Sequence, residues 1–258
     1  MSMTQPYIKI IAAAMPLLLA SCATRHYTVS SVERSRILID SSYDSHIDAE
    51  ATTFMLPYSK KVNDMMSPVM GTAGCDMARC RPESPLSNLL ADILVWSSDK
   101  FNEHPDFAVY NMGGIRAALS KGEVTRGDIL DVAPFENKIC FLTLSGKDVL
   151  TLFQQMAAVG GEAVSRSVCL HITADGKLVS ATVGGRPVNA DASYRIATLD
   201  YLAQGNDRME AFKLKTDVKA PTDEQNNVRF LIEEYFKAEA AAGRSVAAKV
   251  EGRIVVDK

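Results

Sequence analysis

The chain has 258 residues, 47% of them hydrophobic and 23% charged, enough for one large domain or two small ones of ordinary globular composition. The formal net charge is −3 and no long run of lysine or arginine occurs. A protein that grips a nucleic-acid backbone would carry a basic stripe, so nucleic acid is not an expected partner.

The N-terminus reads as a targeting segment. Lys9 precedes an apolar stretch, Ile10 to Ala20, that is too short to span a membrane comfortably. The stretch ends in Leu19-Ala20-Ser21-Cys22, which resembles a bacterial lipoprotein lipobox. Residues 1–22 are therefore expected to be a lipoprotein signal peptide with Cys22 as the lipidation site, a plain secretory signal being the alternative. Acyl chains on Cys22 would anchor the protein firmly, since each buried methylene contributes about 0.8 kcal/mol. The expected location is extracytoplasmic and membrane-anchored, in a bacterial periplasm or at a cell surface.

Residues 23–43 are polar, with one apolar island at Ile37-Leu38-Ile39, and read as a tether holding at most one strand. Residues 47–65 carry a helical period through Met55, Leu56, Tyr58, Val62 and Met65, with Pro68 and Gly71 as breakers. From Ser84 a stronger helix starts with Pro85 in its first turn and runs through Leu86, Leu89, Leu90, Ile93 and Leu94 to about Phe101. Strands are expected at Phe107–Tyr110, Ile139–Leu144, Val168–Ile172, Leu178–Val183 and Tyr194–Leu199, and at the C-terminus from Gly252 to Val256. Ala174-Asp175-Gly176-Lys177 is the hairpin turn between two of them. Thr125 to Leu130 reads as a turn leading into a helical turn. A helix carrying Val149, Leu150, Leu152, Phe153, Met156 and Ala157 stops at Gly160-Gly161, and another covers about Glu224 to Ala241. Strands and helices are interspersed without strict βαβ repetition, so the expected class is α+β, a mixed sheet with packed helices, in a domain spanning 44–258.

Two corners carry the chemistry. Asn111-Met112-Gly113-Gly114-Ile115-Arg116 follows the strand ending at Tyr110, and Pro134-Phe135-Glu136-Asn137 precedes the strand beginning at Ile139. Paired glycines let a backbone approach a ligand closely. Arg116 offers a planar charged fork for phosphate or carboxylate, and Phe135 offers a stacking face. Together they suit something flat and anionic, such as a nucleotide. The plainer reading is two turns with a solvated arginine.

Other groups read as structural. Without Cys22 there remain Cys75, Cys80, Cys140 and Cys169. Cys75 and Cys80 could pair in an oxidising compartment, whereas Cys140 and Cys169 sit in apolar runs where free thiols are usual. The four histidines, His26, His46, His104 and His171, follow no metal spacing. Asp44-Ser45-His46 spells a DxH without companion ligands, and His171 reads as a polar position in a strand. Asp128 and Asp131 flank a turn, where capping and solvation are expected. No GxSxG elbow is present.

The ordered set Asn111–Arg116, Pro134–Asn137, Leu144–Lys147, Tyr194–Leu199, Asp200–Asp207 and Gly252–Ile254 resembles the C-terminal, substrate-binding domain of the 5′-nucleotidase family, which includes UDP-sugar hydrolases. The resemblance covers roughly residues 45–256. It implies that Arg116 holds a phosphate or carboxylate-like edge, that Phe135 and Tyr201 sandwich a base, and that Asn137 and Asp207 bind base or ribose. Gly160 or Gly161 would be a close-approach glycine, with Gly161 the candidate, and Asn111 at the opening of the first corner belongs to the same substrate-binding set. Two departures stand out. The family's GGDG-type loop is here Gly205-Asn206-Asp207-Arg208, and Cys80 occupies an arginine position that Arg79 and Arg81 flank.

The family's chemistry lies in an N-terminal metallophosphatase domain with two metal ions. Its GNH and GHxH segments do not occur in this sequence. The resemblance thus implies a nucleotide or nucleoside recognition domain with no catalytic residue, metal ligand or cofactor of its own, acting with a separate metallophosphatase that would carry the divalent metal pair. The alternative expectation is a non-catalytic nucleotide-binding lipoprotein, or a structural one with a degenerate pocket.

Overall fold

The structure, a computed structural model, describes residues 27–257; Cys22, His26 and the side chain of His46 fall outside what it describes. The described chain divides into two compact units at Phe54/Met55. In the first, residues 27–39 form no regular element and are exposed, the Ile37–Ile39 island included. A 3-10 turn over Ser41–His46 follows, capped by the Asp40 side chain on the Ser42 N–H at 2.9 Å. The first turn of the next helix, α1 (Ala49–Met66), completes the unit, with Asp48 accepting from the Glu50 and Ala51 N–H groups.

In the second unit α1 continues to Met66. The period that predicted this helix holds, yet none of its residues is buried. After it comes β1 (Val69–Ala73), where the sequence suggested only breakers. A Cβ at position 71 would stand 2.8 Å from the Phe236 carbonyl oxygen, so Gly71 is where a helix crosses a strand closely. The helix α2 (Pro85–Ser97) carries the expected buried stripe and a reciprocal cap between Ser84 and Ser87, and a 3-10 turn extends it to Phe101.

Next in order are β2 (Phe107–Tyr110), β3 (Gly122–Thr125), α3 (Arg126–Val132), β4 (Ile139–Ser145) and α4 (Gly146–Ala158). Then come β5 (Ala163–Val164), β6 (Val168–Thr173), β7 (Leu178–Val183), β8 (Arg186–Pro187), β9 (Ser193–Leu199) and the single-turn α5 (Asp200–Ala203). The chain closes with β10 (Thr216–Lys219), α6 (Val228–Ala241) and β11 (Ile254–Asp257). The helix expected from residue 224 begins as a 3-10 turn and becomes α-helical at Val228.

The central sheet has the order β10-β4-β9-β2-β5, with β2 parallel to β9 and β4 antiparallel to it. Apart from the exposed edge strand β10, its strands bury residues on both faces, and the alternation along them separates two cores. Ala108, Tyr110, Phe141 and Ala197 join α2, α6 and the β1–β3 pair, while Phe107, Val109, Leu142 and Ile196 join α4 and β6–β7. A second sheet, β11-β6-β7-β8, covers that second core, with β11 parallel to β6. The fold is α+β.

Arg253, 3% exposed, ties the C-terminal strand to α2 through Asp92 and is also paired with Glu251. Cys75, Cys80, Cys140 and Cys169 are free thiols, and burial pushes the Cys140 thiol up to about 11. Asp128 caps α3 in a reciprocal pair with Thr125. The half-exposed His171 pairs with Asp257 at 2.9 Å. His104 is exposed, 3.6 Å from Asp99.

Candidate functional site

Three separate stretches meet at the C-terminal ends of β2 and β9 and at the start of β4. They line a cavity of about 210 Å³ bounded by Asn111, Gly113, Gly114, Phe135, Asn137, Tyr201 and Asp207. Parallel β2 and β9 deliver the first corner and Tyr201 to the same edge of the sheet, and antiparallel β4 brings Phe135 and Asn137 back to it.

Asp200 fixes the relation between two of these stretches. Its Oδ1 accepts from the Lys138 N–H at 3.1 Å and from the Tyr201 N–H at 2.8 Å, and the Asp200 N–H donates to the Lys138 carbonyl at 2.9 Å. Phe135 lies three residues before Lys138 and is 50% exposed, so its ring is open to a ligand.

Asp207 ties the third stretch to the first. It accepts from the Tyr201 hydroxyl on Oδ1 and from Asn111 Nδ2 on Oδ2, each at 2.9 Å. The Asp207 carboxylate holds the Tyr201 proton above the ordinary tyrosine value. Since Asn111 Nδ2 must face the carboxylate, Oδ1 is the atom left over. It is buried without a partner and packs on Gly114, where a Cβ would stand 2.5 Å from it. A side chain at position 114 would collide with Asn111 and fill the cavity wall, so the close packing of Asn111 Oδ1 requires glycine there.

The loop that lacks the expected glycines keeps a glycine-like backbone. Asp207 and Arg208 have φ values of 54° and 66°, both left-handed. The conformation that presents the Asp207 carboxylate is thus reached without glycine.

Of the residues expected at the site, Asn111, Phe135, Asn137, Tyr201 and Asp207 line the cavity. Arg116 stands outside it, exposed, with Nη1 donating to the Gly113 carbonyl at 3.4 Å. Gly161 stands behind the first corner, where its carbonyl accepts from Arg81 Nη1 at 3.2 Å. Arg79 donates to the Met112 carbonyl at 3.1 Å. Sequence reasoning misses two supports, Asp200 and Glu162; an isolated acidic residue carries no signal of burial until its partners are known. Among the described residues, no three His, Cys, Asp or Glu side chains are grouped so as to hold a metal ion.

The family profile "5′-nucleotidase, C-terminal domain" matches residues 67–214. A 5′-nucleotidase of Vibrio vulnificus is 28% identical over 175 residues, covering 67% of this chain and 31% of the relative. Protein UshA of Escherichia coli is 35% identical over 105 residues, covering 40% of this chain and 19% of the relative. Among solved structures, a 5′-nucleotidase precursor of Thermus thermophilus superposes with a TM-score of 0.69 at 26% identity, over 80% of this chain and 43% of that one. The NAD nucleotidase of Haemophilus influenzae shares the fold at 18% identity, with a TM-score of 0.60. The chain therefore spans a third or less of these curated relatives and under half of the Thermus protein. The matched residues run from β1 through the loop of Asp207 to Leu214 and take in every residue of the cavity, and on that match the chain belongs to the 5′-nucleotidase C-terminal domain family.

Proposed function

We propose that the cavity receives the nucleoside part of a nucleotide, with the base against Phe135 and Tyr201 and polar contacts from Asn111, Asn137 and Asp207. The observation that carries this reading is the convergence of two aromatic faces, two amides and one carboxylate from three stretches on one cavity. At about 210 Å³ it is smaller than the roughly 300 Å³ at which drug-sized ligand pockets begin, so it encloses a base and leaves sugar and phosphate toward solvent. Arg116 and Arg79 are exposed and donate to carbonyls of the first corner, which supports assigning them to that outer part.

In this reading the chain recognises substrate for a separate metallophosphatase that holds the divalent metal pair and cleaves the phosphate. Cys22 is the lipidation site that keeps the protein on the outer side of a bacterial membrane, and nucleic acid is not a ligand. A second reading, capture without turnover, draws on the interactions that Arg79 and Arg81 already make within the chain.

The test is a panel of ligands titrated into the purified chain: adenosine, uridine, their 5′-monophosphates, and ribose 5-phosphate. Binding of nucleosides but not of ribose 5-phosphate is the expected result, and binding of ribose 5-phosphate alone would exclude a base pocket. Turnover that appears only when a metallophosphatase domain is added supports the shared-enzyme reading, and binding with no turnover in any such mixture supports capture. The mass of the mature N-terminal peptide reports whether Cys22 carries acyl chains.

A further inference from the structure

Behind the first corner lies a carboxylate with no contact to the cavity. Glu162 follows Gly161 after α4, and its side chain is 1% exposed. Oε2 accepts from the Met112 N–H at 2.5 Å, and Oε1 meets Arg81 Nη2. Arg81 Nη1 donates to the Gly161 carbonyl at 3.2 Å, so the guanidinium spans the residue and its neighbour. On the far side of Met112, Arg79 Nη1 donates to the Met112 carbonyl at 3.1 Å. Met112 is thereby held at its N–H and its C=O by side chains from outside the corner. It lies between Asn111, bonded to Asp207, and the Gly113-Gly114 pair that forms the cavity wall.

We propose that Glu162 is the positioning residue of this site: its carboxylate, backed by Arg81, fixes the Met112 N–H and through it the Asn111–Gly114 wall. Hydrogen bonds to an ionised acceptor are roughly twice as strong as neutral ones, so the wall is held best when Glu162 is charged. The charged groups around it are Arg81, from the stretch before α2, Arg79 across Met112, and Asp207, from the loop after α5. Burial pushes the Glu162 carboxyl up to about 7; the Met112 N–H and Arg81 oppose that rise and the negative charge of Asp207 adds to it. The hold on the wall therefore loosens as pH falls through neutrality.

The inference rests on the nucleoside reading for its consequence but not for its geometry, so the test has an arm without ligand. In the full chain, the Met112 amide proton is followed by NMR from pH 5 to 9. Its shift should titrate with a midpoint near neutrality, and Arg81→Gln, which removes the counter-charge, should move that midpoint upward. Glu162→Gln should abolish the titration, and Glu162→Asp, one methylene shorter, should retain it with weaker protection from exchange. In the ligand arm, adenosine binding to the wild-type chain should weaken from pH 8 to pH 6 by up to about tenfold, the most that one proton titrating near neutrality can impose over that range. Glu162→Gln should remove that dependence.

A Met112 amide that titrates while no nucleoside binds at any pH would keep the positioning role and sink the nucleoside reading. A Met112 amide flat across the range, or a midpoint that Arg81→Gln does not move, would overturn the assignment even if Glu162→Gln fails to fold.

Discussion

The Tyr201 hydroxyl donates to Asp207 Oδ1 at 2.9 Å, while Asp207 Oδ2 accepts from Asn111 Nδ2 at the same distance. One carboxylate thus joins an aromatic lining residue of the cavity to the corner that carries Asn111 before any ligand arrives. Tyr201→Phe keeps the ring and removes the link. We expect a loss of about 1 kcal/mol in unfolding free energy, measured with denaturant, with nucleoside stacking retained. In the wild-type chain the Tyr201 phenol should ionise above the usual tyrosine range, and ultraviolet titration of Asp207→Asn should bring it back down.

Asp200 joins Tyr201 to the strand that follows Phe135. Asp200→Ala should cost about 1–3 kcal/mol of stability, because two backbone donors lose a charged acceptor. It should also weaken nucleoside binding, since the two aromatic faces are no longer held in register. Unchanged binding in a destabilised variant would confine Asp200 to folding.

Arg208 is exposed and its φ of 66° is unfavourable for a residue with a Cβ. The left-handed region costs a non-glycine residue about 1–2 kcal/mol, part of which glycine returns through its own unfolded-state entropy. Arg208→Gly is therefore expected to raise stability by up to about 1 kcal/mol in chemical denaturation. A loss of stability would mean that the loop draws on the arginine side chain.

Glu162 predicts a pH dependence of stability as well as of binding. Its folded-state pKa of about 7 lies above the ordinary glutamate value of 4.5, so the folded state holds this proton more tightly. That contribution is fully present below about 4.5 and is lost as pH rises through about 7. Glu162→Gln should remove this component from a plot of unfolding free energy against pH. The fold is thus favoured by the neutral form and the ordered wall by the charged one.

Much of the fold is legible in the residue pattern, because burial on one or both faces leaves a period. Leu86, Leu89, Leu90, Ile93 and Leu94 mark α2, and the apolar runs at Phe107 and Ile139 mark the central strands. The β1–β3 pair is not legible, since Gly71 reads as a breaker until the carbonyl of Phe236 is seen above it. The pattern of α1 gives its helix but not its surroundings: Met55, Leu56, Val62 and Met65 share a helical period and remain exposed. At the site, motif order placed Asn111, Phe135, Asn137, Tyr201 and Asp207 together and the cavity unites them. Arg116 and Gly161 lie outside it, because a motif fixes where a backbone goes and the surrounding partners decide where a side chain ends.

The central claim is that a base stacks in this cavity. Calorimetric titration of adenosine into the wild-type chain and into Phe135→Ala tests it most directly. Loss of one stacking face should cost about 1–3 kcal/mol, or about 5- to 150-fold in Kd, with folding unchanged at this half-exposed position. Equal affinities in the two proteins, or no binding to wild type at any concentration tested, would contradict the claim.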